Sequence, residues 1–163
     1  MQNLVKILTD AGIEKNEAEI EVKLLIENIA GYGVVDIIMG KKLTAEQYEK
    51  IKEFTDLRAK TRQPIQYIIG EAYFMGDYYN VTPDVLIPRD ETEIAVRHAL
   101  GLIKQNGIKT VLDIGTGSGC IACSLAKYSD TRVTSADISP KALEVAEQNA
   151  KNIMNTKNNN SQL

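Results

Sequence analysis

The sequence lacks a long apolar run. No stretch approaches the roughly 18 residues that a helix needs to cross a bilayer, and the opening MQNLVKILTDAG is an amphipathic helix pattern without the organisation of a secretion signal. A cytoplasmic protein is the expectation. The sequence also lacks an excess of charge of either sign. Lys and Arg number 10 against 11 Asp and Glu over residues 1–70, and 9 against 11 over residues 71–163. Neither half therefore offers the basic surface that tracks phosphates, and direct contact with nucleic acid is not expected. Cysteine and histidine are scarce. Cys120 and Cys123 stand in a C-x-x-C spacing, but two thiols do not complete a zinc site and the only histidine is His98. Both cysteines fall in a helical stretch, where Cys packs as a small apolar residue, so no metal site is expected. His98 follows Ile94, Ala95 and Arg97 on a helical pattern and reads as a surface or interface residue rather than a catalytic one.

What the chain does hold is an ordinary globular composition, 44% hydrophobic over 163 residues, enough for one domain or two small ones. Residues 1–65 read as a helical bundle. Leu4, Val5, Ile7 and Leu8 share one helical face that ends at Gly12. Ala18, Val22, Leu25 and Ile29 share another that stops at Gly31 and Gly33. Val34 to Ile38 suggests a short helix, and Thr44 with Gln47 forms a capping-box pattern ahead of Tyr48, Ile51, Phe54 and Leu57. No catalytic constellation lies in this half. After Pro64 the composition turns β-branched and aromatic, and Gly76 with Asp77 falls between two such runs, so residues 66–89 are predicted to be a β-hairpin linker. Asp90 to Glu93 is spaced as a capping box for a helix through Ile94, Ala95, His98, Ala99 and Ile103.

The run VLDIGTGSGC, Val111 to Cys120, is the stretch that calls for a ligand. Val111, Leu112 and Ile114 read as a short buried strand, and Gly115, Gly117 and Gly119 form a turn that opens a helix. Glycine accepts positive φ and lets a ligand approach the backbone, and the helix start offers unpaired N–H groups. A dinucleotide fingerprint would need glycine at position 120, where this chain has Cys120. Asp113 would set a carboxylate beside the turn, repelling a diphosphate and attracting an ammonium group. About 20 residues on, Arg132 to Ala136 supplies a second strand with Asp137 at its end, placed to grip ribose hydroxyls. Ser139 and Pro140 then read as N-cap and first helical residue. The pattern suits S-adenosylmethionine, with Asp113, Gly115, Gly117, Gly119 and Asp137 as the cofactor-binding residues.

Taken together, QYIIG at Gln66 to Gly70, Phe74 and Gly76, VLIPRDETE at Val85 to Glu93, DIGTGSGC and Asp137 resemble the peptide-chain release factor glutamine methyltransferases. The resemblance runs from the N-terminal helices to about Ile153. One departure is Asp90, where the family pattern I-P-R-P-E-T-E has its second proline. The resemblance implies an α-helical N-terminal bundle over residues 1–65 that docks a release factor and a β-hairpin linker. It also implies the N-terminal part of a doubly wound α/β, Rossmann-like methyltransferase domain over residues 90–153. The implied activity is transfer of a methyl group from S-adenosylmethionine to the side-chain amide nitrogen of a release-factor glutamine, by a monomer. Carried over by the same resemblance, Gly115, Thr116, Gly117, Ser118 and Gly119 would line the methionine end of the cofactor and Asp137 its ribose, with Thr92 and Glu93 near the same site. The family's Asn-Pro-Pro-Tyr segment, which orients the amide nitrogen, is absent: the four prolines follow Gln63, Thr82, Ile87 and Ser139. No catalytic residue is therefore assigned. The polar tail over residues 154–163 is predicted to be disordered, and the chain reads as a C-terminally truncated member, inactive alone. The alternatives are a non-catalytic release-factor or cofactor-binding protein, or a fragment of a nucleic-acid amino-methyltransferase.

Overall fold

The computed structural model describes residues 1–160. The chain divides into two compact units, Met1–Ile69 and a second beginning at Gly70.

The first unit is helical throughout. Helix α1 (Gln2–Asp10) buries Leu4 and Leu8. Helix α2 (Lys15–Ala30) begins where the Glu14 carboxylate accepts from the N–H groups of Asn16 and Glu17, at 2.7 and 3.2 Å, and ends at Gly31 in the left-handed conformation. A short α3 (Val34–Ile38) follows. Helix α4 (Ala45–Thr61) starts with the capping box that the sequence predicts. The Gln47 N–H donates to Thr44 Oγ1 at 3.1 Å, and the Thr44 N–H donates to Gln47 Oε1 at 2.9 Å. The buried core joins Leu4, Leu8, Val22, Leu25, Ile51 and Ile65.

At the core's polar edge the Arg58 side chain from α4 is buried and fully engaged. Its Nε meets both oxygens of Glu21 at 3.0 Å, Nη2 donates to Glu17 at 2.9 Å, and Nη1 donates to the Arg62 carbonyl at 3.0 Å. Residues Ile65–Ile69 form a fifth helix, α5, rather than the extended segment that their β-branched composition suggests. Pro64 supplies a first-turn position that needs no N–H. Its carbonyl accepts from Tyr67 N–H, and Ile65 packs into the helical core, which decides the conformation.

The second unit opens with an antiparallel hairpin of β1 (Glu71–Phe74) and β2 (Asp77–Asn80). Its turn is Met75–Gly76, with φ of 51° and 89°, so Asp77 begins the second strand instead of sitting in the turn. Two positive φ values in succession give the two-residue turn whose twist matches the strands. Both backbone groups of Met75 are taken: its N–H donates to Glu93 Oε1 at 2.6 Å, and its carbonyl accepts from the Tyr128 hydroxyl at 2.7 Å.

Helix α6 (Asp90–Asn106) follows, with Arg89 at the N-cap and no side-chain cap. The expected capping box does not form, because Glu93 turns to the hairpin. Its buried face is Val96 and Ile103, while Ile94 and His98 are exposed. Strands β3 (Thr110–Ile114) and β4 (Arg132–Ala136) pair in parallel, from Thr110 opposite Arg132 to Ile114 opposite Ala136. Helix α7 (Cys120–Tyr128) connects them and α8 (Pro140–Asn160) follows β4. This is the beginning of a doubly wound α/β arrangement. Phe74, Tyr79, Val96, Cys123, Leu125 and Ile153 share its core.

The expectation of a buried strand over Val111, Leu112 and Ile114 needs correction: Leu112 and Ile114 lie on the face of β3 that no described element covers and are 59% and 78% exposed, and Val111 is only half-buried. The tail prediction needs correction. Helix α8 carries the chain through residue 160 where disorder from residue 154 was the expectation, and residues 161–163 of that expectation lie outside the described residues.

Candidate functional site

The glycine turn sits where β3 hands over to α7, and the backbone of β4 holds its first two residues. The N–H groups of Gly115 and Thr116 both donate to the Ala136 carbonyl, at 2.8 and 3.0 Å. The next N–H, that of Gly117, donates to Asp137 Oδ2 at 2.9 Å. The other carboxylate oxygen, Oδ1, accepts from the Ser139 N–H at 2.9 Å. These backbone donors, Ser139 first and then Gly117, hold the Asp137 carboxyl below its ordinary range. Asp137 is thus an ionised acceptor fixed by the turn it faces, and each of its oxygens retains a lone pair.

Asp113, at the end of β3, is half-buried and accepts from the Thr116 hydroxyl at 2.7 Å. Thr116 and Ser118 are buried within the turn. The Gly119 N–H closes it onto the Thr116 carbonyl at 2.8 Å. The seven residues that the sequence groups together therefore stand together in space, along the carboxyl edge of the two parallel strands.

The glycines fall into two kinds. Gly115 and Gly117 have φ of 76° and 54°, and the space that a Cβ would take is open. These two make a cradle. Gly119, at φ 78°, is a packing glycine: a Cβ there would lie 3.1 Å from the Ala146 backbone on α8. The close approach of α8 leaves no room for a side chain at this position.

Thr92, Glu93 and the two cysteines have partners of their own. Thr92 lies in the first turn of α6, with its N–H on the Arg89 carbonyl at 2.9 Å. The Glu93 oxygens are committed to Met75 N–H and, at 2.9 Å, to Arg97. Those contacts, the Met75 N–H first, hold its carboxyl below the usual range. Burial pushes both thiols of the C-x-x-C pair up, that of Cys123 to about 12, so at neutral pH they are protonated core groups. Among the described residues no group of three or more His, Cys, Asp or Glu side chains could hold a metal ion, and no helix is long and apolar enough to cross a membrane.

The sequence reading misses Asn149, which is 1% exposed and bonds to the turn. The available signal was a polar residue on the buried face of a helix otherwise lined by Ala146, Ala150 and Ile153.

Residues 1–70 match the model of the PrmC N-terminal domain, and residues 111–161 match the model of a methyltransferase domain. A release factor glutamine methyltransferase of Chlorobaculum tepidum is 38% identical over 143 residues, covering 83% of this chain and 48% of that protein. One of Mycoplasma mycoides is 36% identical over 159 residues, covering 94% and 55%. The chain belongs to the release factor glutamine methyltransferase family. A third member, from Bacillus subtilis, is 36% identical over 151 residues, covering 90% of this chain and 51% of its own. The chain spans about half the length of the curated relatives it matches. Its two matched regions place the family's N-terminal module on the helical unit and the methyltransferase module on the strand-turn-helix that carries the glycine turn.

Proposed function

We propose that this chain carries the release-factor-docking module and the cofactor turn of an S-adenosylmethionine-dependent protein-glutamine N5-methyltransferase. The observation that carries the reading is the pairing of Asp137 with Gly117. A fixed, ionised carboxylate borders an open two-glycine cradle. The donor set suits the cofactor. Asp137 would accept from the ribose hydroxyls, while Gly115 and Gly117 leave room for the backbone to lie against the methionine end. The Asp113 carboxylate would favour its ammonium group. A charged acceptor bonded to a hydroxyl contributes about 1.5–3 kcal/mol.

When bound, the cofactor supplies an electrophilic methyl group. The residues of this chain bind and orient it. Transfer to an amide nitrogen further needs groups that hold that nitrogen in line with the methyl carbon. No Asn-Pro-Pro-Tyr segment occurs among the 163 residues, so we expect the purified chain to bind without transferring. The reading includes a monomer in the cytoplasm with a release factor as protein partner. The near balance of charge in each half argues against direct nucleic-acid contact.

Calorimetry with S-adenosylmethionine tests the site. The expected result is binding by the wild-type chain and at least a tenfold loss in Asp137→Ala, in line with a lost charged hydrogen bond. A folded wild-type chain that binds no cofactor at millimolar concentration overturns the assignment. Methylation of a release factor by the purified chain overturns the expectation of binding without transfer.

A further inference from the structure

Asn149 lies on the buried face of α8 and spends its whole amide on two backbone segments far apart in sequence. Its Oδ1 accepts from the Asn80 N–H at 2.7 Å, while Nδ2 donates to the Asn80 carbonyl at 2.9 Å and to the Ser118 carbonyl at 2.8 Å. Asn80 ends β2. The Val81 N–H donates to the Gly70 carbonyl at 2.9 Å, and antiparallel pairing alternates. The backbone groups of Asn80, opposite Glu71, therefore turn away from β1. Asn149 meets them as one residue of a third strand would.

The bond to Ser118 acts on the turn itself. A peptide is planar and trans, so its carbonyl and the following N–H point opposite ways. With the Ser118 carbonyl drawn to Asn149, the Gly119 N–H faces back across the turn, where it reaches the Thr116 carbonyl at 2.8 Å. The orientation of this one peptide plane decides whether the turn closes.

We propose that Asn149 is the positioning residue of the glycine turn, fixing the Ser118–Gly119 peptide and tying the turn to the hairpin. The effect on ligand affinity rests on the cofactor reading above; the effect on the turn does not. The assignment is specific to asparagine. Aspartate keeps the bond from the Asn80 N–H but sets a charged oxygen against two carbonyls. Leucine loses all three bonds, and glutamine overreaches by a methylene.

The test compares the full chain with Asn149→Asp and Asn149→Ala, and with Val145→Ala as a control that loosens α8 from another buried position and leaves the three amide bonds in place. All are studied where circular dichroism shows wild-type helicity. Amide hydrogen exchange at Gly119 and Asn80 is read by NMR, and S-adenosylhomocysteine affinity is read by calorimetry. In Asn149→Asp, exchange at Gly119 is expected to rise, and affinity to fall, by about tenfold or more, while the Asn80 amide keeps its acceptor; in Asn149→Ala both amides are expected to exchange faster. Val145→Ala is expected to move neither amide relative to the rest of its unit. Should the aspartate variant not fold, Asn149→Ala carries the same comparison. Unchanged exchange at Gly119 in a folded variant, or an equal rise in the control, overturns the proposal. Faster exchange in a chain whose wild type binds no ligand leaves the positioning role standing and removes the cofactor reading instead.

Discussion

Arg58 in the helical unit and Asn149 in the second unit each gather a buried polar knot, and the two are built on opposite chemistry. In the helical unit Arg58 gathers Glu21, Glu17 and the Arg62 carbonyl, so the knot is ionic and joins side chains of two helices. In the second unit Asn149 gathers the Asn80 backbone and the Ser118 carbonyl, so the knot is neutral and joins main chain to main chain. A buried charge needs its partner more than its neighbours need it, whereas a neutral amide can dictate backbone direction at little desolvation cost. The ionic knot secures helix packing, and the neutral one sets a turn's shape.

The largest expected effect breaks the ionic knot. Arg58→Ala leaves Glu21 buried and unpaired, and should lower stability by about 3–5 kcal/mol in urea denaturation. Replacing Arg58 and Glu21 together by Met and Leu should recover most of that loss, since apolar packing can substitute for a buried pair. A double variant as weak as the single one would mean that the knot specifies structure and not only charge balance. The next effect strikes the turn in the other unit. Gly119→Ala drives a methyl into Ala146 at a positive φ and should cost about 1–3 kcal/mol by overpacking. Gly117→Ala, with open space before it, should cost less at the same φ sign.

The pH dependence of two glutamates should have opposite signs. Burial raises the Glu21 carboxyl above its ordinary 4.5 despite Arg58, so the folded state binds its proton more tightly than the unfolded chain does. Its contribution therefore weakens as pH rises from 4.5 through the raised value, and Glu21→Gln should flatten the curve there. Glu93 is held below 4.5 by the Met75 N–H, and its contribution is present above 4.5 and lost as pH falls through the lowered value. Glu93→Gln should remove that acid-side loss. Denaturation midpoints from pH 3 to 8 check both signs. The smallest effect belongs to the exposed side of β3: Ile114→Thr should change stability by within about 0.5 kcal/mol.

How legible all this was depends on the reach of the interactions. The strand, the glycine turn, the following helix, the Thr44 capping box and the Ser139–Pro140 helix start are local patterns, and each is found where the sequence places it. Gly115 to Gly119 and Asp137 meet because β3 and β4 pair in parallel, a contact that a spacing of about 20 residues already implies. The conformation of Ile65–Ile69 escaped because packing in the helical core outweighs β-branched propensity. The hairpin turn shifted by one residue because Met75 takes a positive φ that only tertiary bonds make tolerable. Arg58 reaches Glu21 across 37 residues and Asn149 reaches Ser118 and Asn80 across 31 and 69, and no window of sequence shows such a partner.

The Met75–Gly76 turn alters how its hairpin comes apart. A free hairpin tip is ordinarily a place for chain opening to begin, since few bonds cross it. Here Glu93 grips the tip residue's donor and Tyr128 its acceptor, so the tip cannot unzip before α6 and the end of α7 let go. A protease seeking a nick in the second unit would find that loop shut, and peeling would have to start from the open ends of the strands.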